Sequence, residues 1–266
     1  MRWATNPILE PRIITEKVAT DIEAAQADGR NGDGAGSASS SPDPEEEGVL
    51  TIRPPSDRFT LHQLFYIFVI DGIFAAIVSG GINFAIAYAL YHDKGTNDSP
   101  IRLFQFPNTL AGDTAVTIFV QFLTTWVIES LLVNYDLRTG GVQPIGFIPE
   151  PKWRHVRWFM LLDRPEQMYK VRSFKHWFLF LFSQIIRSLI LAALCFPFIF
   201  GVSVGLLTIV GKHKGNDWYY KAKWAPEVFK LVQGASLGLV ATPLMVIFWL
   251  ARCGWELQSV EKRTNR

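Results

Sequence analysis

Residues 64–91 read LFYIFVIDGIFAAIVSGGINFAIAYALY. The run holds a single charged residue, Asp71. It is longer than the roughly 20 residues an α-helix needs to cross the hydrocarbon of a bilayer. Backbone N–H and C=O groups in lipid must find partners within their own segment, so a helix is the expected form. Three more apolar runs follow, at 108–133, 177–210 and 228–251. Together they predict an all-α fold, a four-helix transmembrane bundle occupying residues 61–255. The predicted third span contains Pro197 and the fourth contains Pro243.

The rest of the chain has a different character. Residues 29–48 read GRNGDGAGSASSSPDPEEEG. Such a stretch cannot bury enough apolar surface to offset chain entropy, so residues 1–60 are expected to form a disordered tail. Ile14, Val18 and Ile22 recur at helical spacing and suggest a short amphipathic helix near 13–27. Ser40 and Ser41, beside Pro42 and Glu45 to Glu47, are candidate phosphorylation sites. Residues 256–266 form a short second tail.

Over all 266 residues the hydrophobic share is 49% and the formal net charge is +2. The first figure is an average that hides the split along the chain; the four long apolar runs exclude a wholly disordered chain and an ordinary soluble enzyme. The second gives no nucleic-acid signal. The two cysteines, Cys195 and Cys253, exclude a disulfide scaffold. Cys253, at the end of the fourth span, is a candidate for acylation.

The positions of the basic residues carry more information than their sum. The flank before the first span, the loop 134–176 and the C-terminal tail hold fourteen Lys and Arg. The two other loops hold six, or seven with Lys230, which sits at a span edge where it can snorkel to the interface. Basic loops stay on the cytosolic side, so both termini are expected in the cytosol. Within loop 134–176, the stretch Lys152 to Leu162 mixes basic and aromatic residues. Arg154 and Arg157 are the candidates for contact with anionic headgroups.

Charges inside a bilayer are costly and are usually paired or functional. Asp71, Glu129 and Arg187 fall in the cytosolic half of their spans, and Arg187 is expected to pair with Glu129 or Asp71. Asn83 and Asp113 fall in the outer half, where they are placed to meet each other. Small residues at intervals of four mark a second pattern: Gly72, Ala76 and Gly80; Gly201 and Gly205; Gly234 and Gly238. Faces of this kind let helices approach closely in lipid. The matching depth of the last two pairs predicts contact between the third and fourth spans, with homodimerisation as the rival.

No histidine pair has metal-ligand spacing, and neither a nucleophile elbow nor a phosphate-binding Gly-rich loop is present. No metal, cofactor or catalytic residue is therefore assigned. The segments SGGINFAIAY (79–88) and FQFPNTLAGD (104–113) resemble a family of uncharacterised fungal integral membrane proteins. The resemblance implies a multi-span membrane protein over about 60–255 and no activity. Two function classes follow. The first is a non-enzymatic adaptor, assembly or organising protein, with the bilayer and another membrane protein or a second copy as partners. The second is a small ion- or proton-coupled transporter or channel, working as an oligomer. The two differ in whether the buried acids face a cavity or a sealed ion pair.

Overall fold

The computed structural model describes residues 52–94, 96, 99–162, 174–221 and 224–264. Ser40, Ser41 and the helix expected near 13–27 lie outside the described residues. Among the described residues, four helices are long and apolar enough to cross a membrane. They are α1 (Leu61–Tyr91), α2 (Leu110–Arg138), α4 (Phe174–Val210) and α5 (Ala225–Thr264), with the short α3 (Arg154–Phe159) between α2 and α4. The chain folds as two compact units.

The larger unit takes Phe59–Leu132 and Ser173–Trp249. Its first helix starts on a capping box: the Gln63 amide donates to the Thr60 hydroxyl at 3.1 Å, and the Thr60 amide to the Gln63 side chain at 3.0 Å. Residues Phe65–Ile73 of α1 are π-helical, and this stretch contains Asp71. Opposite it stands Pro243 of α5, whose Cγ lies 3.2 Å from where a Cβ on Gly72 would sit.

The small-residue faces join α1 to α5. A Cβ on Gly238 would lie 2.6 Å from the Ala75 carbonyl oxygen, and one on Gly234 would lie 2.7 Å from that of Ser79. A Cβ on Gly80 would meet Ala235 at 3.1 Å. The expected match between the third and fourth spans is thus replaced. Gly201 and Gly205 have nothing within 4 Å of their Cβ positions, and their face of α4 is open. Both pairs have the same spacing, but only α1 offers a facing row of small residues, Gly72, Ala76 and Gly80. In the apolar stretch of α5, 61% of residues are buried, against 11% in that of α4. So α5 is central and α4 peripheral.

Helix α2 meets each of the other three. Gln121 accepts from Ser79 of α1, the Trp126 indole donates to Gln184 of α4 at 3.0 Å, and the Trp126 ring packs on Trp249 of α5.

The all-α expectation is corrected by a small sheet at one end of this unit. Its strands are β1 (Ile101–Arg102), β2 (Asn108–Thr109), β3 (Lys212–Lys214) and β4 (Asp217–Tyr220), in the order β2-β1-β4-β3. It joins the α1–α2 loop to the α4–α5 loop, with β1 antiparallel to β4. The buried Asp217 carboxylate accepts from three backbone amides, Phe104, Gln105 and Trp218. The Tyr220 hydroxyl donates to the Leu207 carbonyl at 2.9 Å. Burial, and then the charge of Asp217, raise the pKa of Tyr220. Beneath the sheet, Leu103, Leu110, Leu207 and Tyr220 form an apolar cluster with Ala87 and Tyr91. Strands this short leave no period-2 signal to read in a sequence.

The smaller unit comprises, among the described residues, 52–58, 133–162 and 250–264. A loop crosses the C-terminal part of α5 at Gly254, where an added Cβ would lie 1.8 Å from the Ile145 carbonyl oxygen. The Ile145 amide donates to the Leu250 carbonyl at 3.1 Å, and Gln258 donates to the Gly146 carbonyl at 2.8 Å. Ser56 pairs with the same loop, giving its amide to Pro144 and accepting from Gly146. Pairing therefore extends into residues that composition alone assigns to the tail. Cys253 is only 2% exposed, which corrects its reading as an accessible acylation site. Arg157 pairs with Glu150, while Arg154 and Trp153 are exposed on and beside α3.

Candidate functional site

The site begins with a spacing on α2. Asp113, Thr117, Gln121, Thr125 and Glu129 recur at every fourth residue. Residues four apart form a continuous ridge, slightly inclined to the helix axis. At about 1.5 Å per residue this row is about 24 Å long, most of the roughly 30 Å hydrocarbon thickness.

All five residues line one groove between α1 and α2, with a volume of about 520 Å³. Asp71, Ser79 and Asn83 of α1 also line it, and Thr242 of α5 contributes from behind. Its rims are apolar and exposed, among them Phe74, Ile82, Val116 and Val120. The groove thus has a polar floor and apolar, exposed lips.

Hydrogen bonds link the floor. The Ser79 hydroxyl donates to Gln121 Oε1 at 2.8 Å, and Gln121 Nε2 donates to the Thr125 hydroxyl at 3.1 Å. Asn83 Nδ2 donates to the Ser79 carbonyl at 2.9 Å. Thr242 is fully buried, and its hydroxyl has no hydrogen-bond partner among the described residues.

Toward the sheet-bearing end, Asp113 of the groove is held in an ion pair. Lys230 Nζ lies 3.2 Å from Asp113 Oδ2 and also donates to the Thr117 hydroxyl. The Tyr91 hydroxyl donates to the same carboxylate oxygen at 3.3 Å. Lys230 is 1% exposed, so it does not snorkel. Asp113 and Asn83 both line the groove, but each has taken a partner other than the one expected. The acid pairs with Lys230, and the amide bonds within its own helix. The signal for Lys230 was present in the sequence: it lies within the first two turns of a span whose neighbour carries an acid at the same depth.

At the far end, Asp71 and Glu129 both line the groove, and Glu129 is 4% exposed. Arg187 on α4 is fully buried and donates to the carbonyl and hydroxyl of Ser183, one turn earlier. Among the described residues, no group of three or more His, Cys, Asp and Glu side chains is placed to hold a metal ion.

The larger unit is thus a helical unit of long apolar helices with a groove lined by a row of polar side chains. Residues 157–250, which run from α3 through α4 into α5, match a family model described as a protein of unknown function, DUF2456. The match lies outside the segments 79–88 and 104–113 that suggested a fungal family. An uncharacterized protein of Schizosaccharomyces pombe is 39% identical over 188 residues, covering 71% of this chain and 36% of the relative. The chain thus matches only about a third of that relative's length. An uncharacterized protein of Saccharomyces cerevisiae is 29% identical over 250 residues, covering 71% of this chain and 78% of the relative. These similarities support an uncharacterised fungal family. No solved structure matches.

Proposed function

We propose that this chain is a multi-pass integral membrane protein acting as a small proton- or cation-coupled transporter or channel, with the α1–α2 groove as its path. The observation that carries the proposal is the five-residue polar row on α2, which lines one groove from Asp113 to Glu129. A bundle held together only by packing has no need of such a row, because polar groups in hydrocarbon are costly unless satisfied. Hydroxyl and amide groups both donate and accept, so a row of them can hold a file of water that carries a proton between carboxylates. In this mechanism Asp71 and Glu129 take up the ion at one end. Ser79, Gln121 and Thr125 hold the water that carries it through the middle. The Lys230–Asp113 pair gates the sheet-bearing end. With both termini in the cytosol, Asp71 and Glu129 serve the cytosolic side and Asp113 the opposite one.

The test is ion flux in proteoliposomes containing the full chain and a trapped pH indicator. A pH gradient should dissipate faster than in empty vesicles. Glu129→Gln should slow that dissipation at unchanged protein incorporation. Equal rates with wild-type, variant and empty vesicles would contradict the proposal.

A specific observation favours the adaptor reading as the second one. The face of α4 that carries Gly201 and Gly205 is open, and small residues of this kind serve helix association in lipid. On this reading the partner is a membrane protein or a second copy, and Arg154 beside the exposed Trp153 rests on anionic headgroups.

A further inference from the structure

One buried acid has no part in the groove. Glu227 stands in the first turn of α5 and is 0% exposed. Among the described residues, neither of its carboxylate oxygens has a hydrogen-bond partner. A buried polar group in that state is rare, and a buried carboxylate is costly unless it is paired. Glu227 does not line the groove and has no surface of its own, so its partner must come from within the chain.

Lys230 follows three residues later on the same helix. Side chains three apart share a helix face, with Cβ atoms about 5–6 Å apart, and an acid N-terminal to a lysine is the favoured order. The ammonium sits on a flexible four-carbon stem. It reaches to α2, where it pairs with Asp113 at 3.2 Å and donates to the Thr117 hydroxyl. Lys230 is 1% exposed, so it too is shut off from solvent. Asp113 differs: it lines the groove, and its side chain is 19% exposed. Tyr91 of α1 also donates to it. One buried cation thus stands between an acid that the groove reaches and an acid that it does not.

We propose that Glu227 is the second counterion of Lys230, which moves from Asp113 to Glu227 when a proton or cation entering the groove neutralises Asp113. With Asp113 neutral, an ammonium that stayed in place would be stranded at low dielectric. Glu227 offers it a charge within the reach of one side chain, at the positive end of the α5 dipole, where a carboxylate is stabilised. A proton taken up by the groove forms one O–H bond on Asp113, and the ammonium keeps all three of its own. Charge therefore moves by rotation of one side chain, and no N–H bond breaks. The assignment rests on the reading of the groove as an ion path, in which Glu227 is the positioning residue that lets the Lys230–Asp113 gate open.

Melting of the detergent-solubilised full chain at neutral pH tests the pairing without any transport. Asp113→Asn imitates the neutralised acid. With Glu227 present it should lower the melting temperature by less than about 3 °C. Glu227→Gln should shift it equally little, since it removes no hydrogen bond. Asp113→Asn combined with Glu227→Gln strands the ammonium and should lower it by about 10 °C. Ion flux in proteoliposomes tests the role. Glu227→Gln should slow dissipation of a pH gradient at least about tenfold at unchanged incorporation and melting temperature. A double variant that loses no more than the sum of the two single ones would overturn the proposal. Flux through Glu227→Gln equal to that of an active wild type would also overturn it. Wild-type flux no faster than in empty vesicles would instead refute the ion path, with the pairing still decided by the melting series.

Discussion

Lys230 of α5 and Asp113 of α2 form an ion pair at 3.2 Å, with the lysine side chain 1% and the aspartate side chain 19% exposed. They lie 117 positions apart in the chain, and each stands within the first two turns of its helix. Removing one partner of such a pair strands the other charge at low dielectric, at a cost of about 3–5 kcal/mol. Lys230→Met should therefore lower the melting temperature of the detergent-solubilised protein markedly. The double variant Lys230→Met with Asp113→Asn should recover most of the loss. A double variant as unstable as the single one would mean that packing, not charge, holds the site.

Arg187 is fully buried on α4. Its pairing with Glu129 or Asp71, the expectation from span depth, makes a clear prediction. Arg187→Ala should cut accumulation of the protein in its membrane sharply, and neutralising the correct acid should restore it. Normal accumulation of Arg187→Ala would refute the pairing.

The two Gly-x-x-x-Gly faces should respond in opposite ways. Gly238→Leu pushes a side chain into the Ala75 backbone. Overpacking of this kind costs about 1–3 kcal/mol, and more where backbone cannot yield. Gly205→Leu meets nothing within 4 Å and should leave monomer stability unchanged. Thermal melting of the two variants checks the contrast. A loss of self-association in Gly205→Leu at unchanged stability would assign that face to a second copy.

Cys253 should resist maleimide in the folded protein and react only after denaturation, since it is 2% exposed. Gly254→Ala should lift the 143–148 loop from α5, because the new methyl carbon would stand 1.8 Å from the Ile145 oxygen. Faster amide exchange at Ile145 and Gly146, whose N–H groups bond Leu250 and Ser56, is the readout. Unchanged exchange there would contradict the crossing.

The four helices were legible because apolar length is a strong and local signal. The row from Asp113 to Glu129 was half legible. Its two acids and Gln121 were conspicuous, but Thr117 and Thr125 joined them only through the interval of four, which apolar scoring hides. Partner choice was not legible. Gly201/Gly205 and Gly234/Gly238 look alike as strings, and only the facing row on α1 separates them. Lys230 looked like a snorkelling edge residue because sequence depth does not show which way a side chain points. The sheet was invisible because its strands are two to four residues long and pair two loops far apart in sequence, with Asp217 of β4 holding the amides of Phe104 and Gln105.

The central claim is that the polar row of α2 lines a path that water and ions enter. It is tested most directly by the reactivity of a cysteine at Gln121, the middle of the row, in the full chain in membranes. The background is Cys195→Ala, with Cys253 shielded by burial. A charged, lipid-insoluble methanethiosulfonate should modify Gln121→Cys, and should leave Val120→Cys, on the lipid-facing rim, unmodified. No modification of Gln121→Cys, or equal modification of both, would contradict a wet path through the groove.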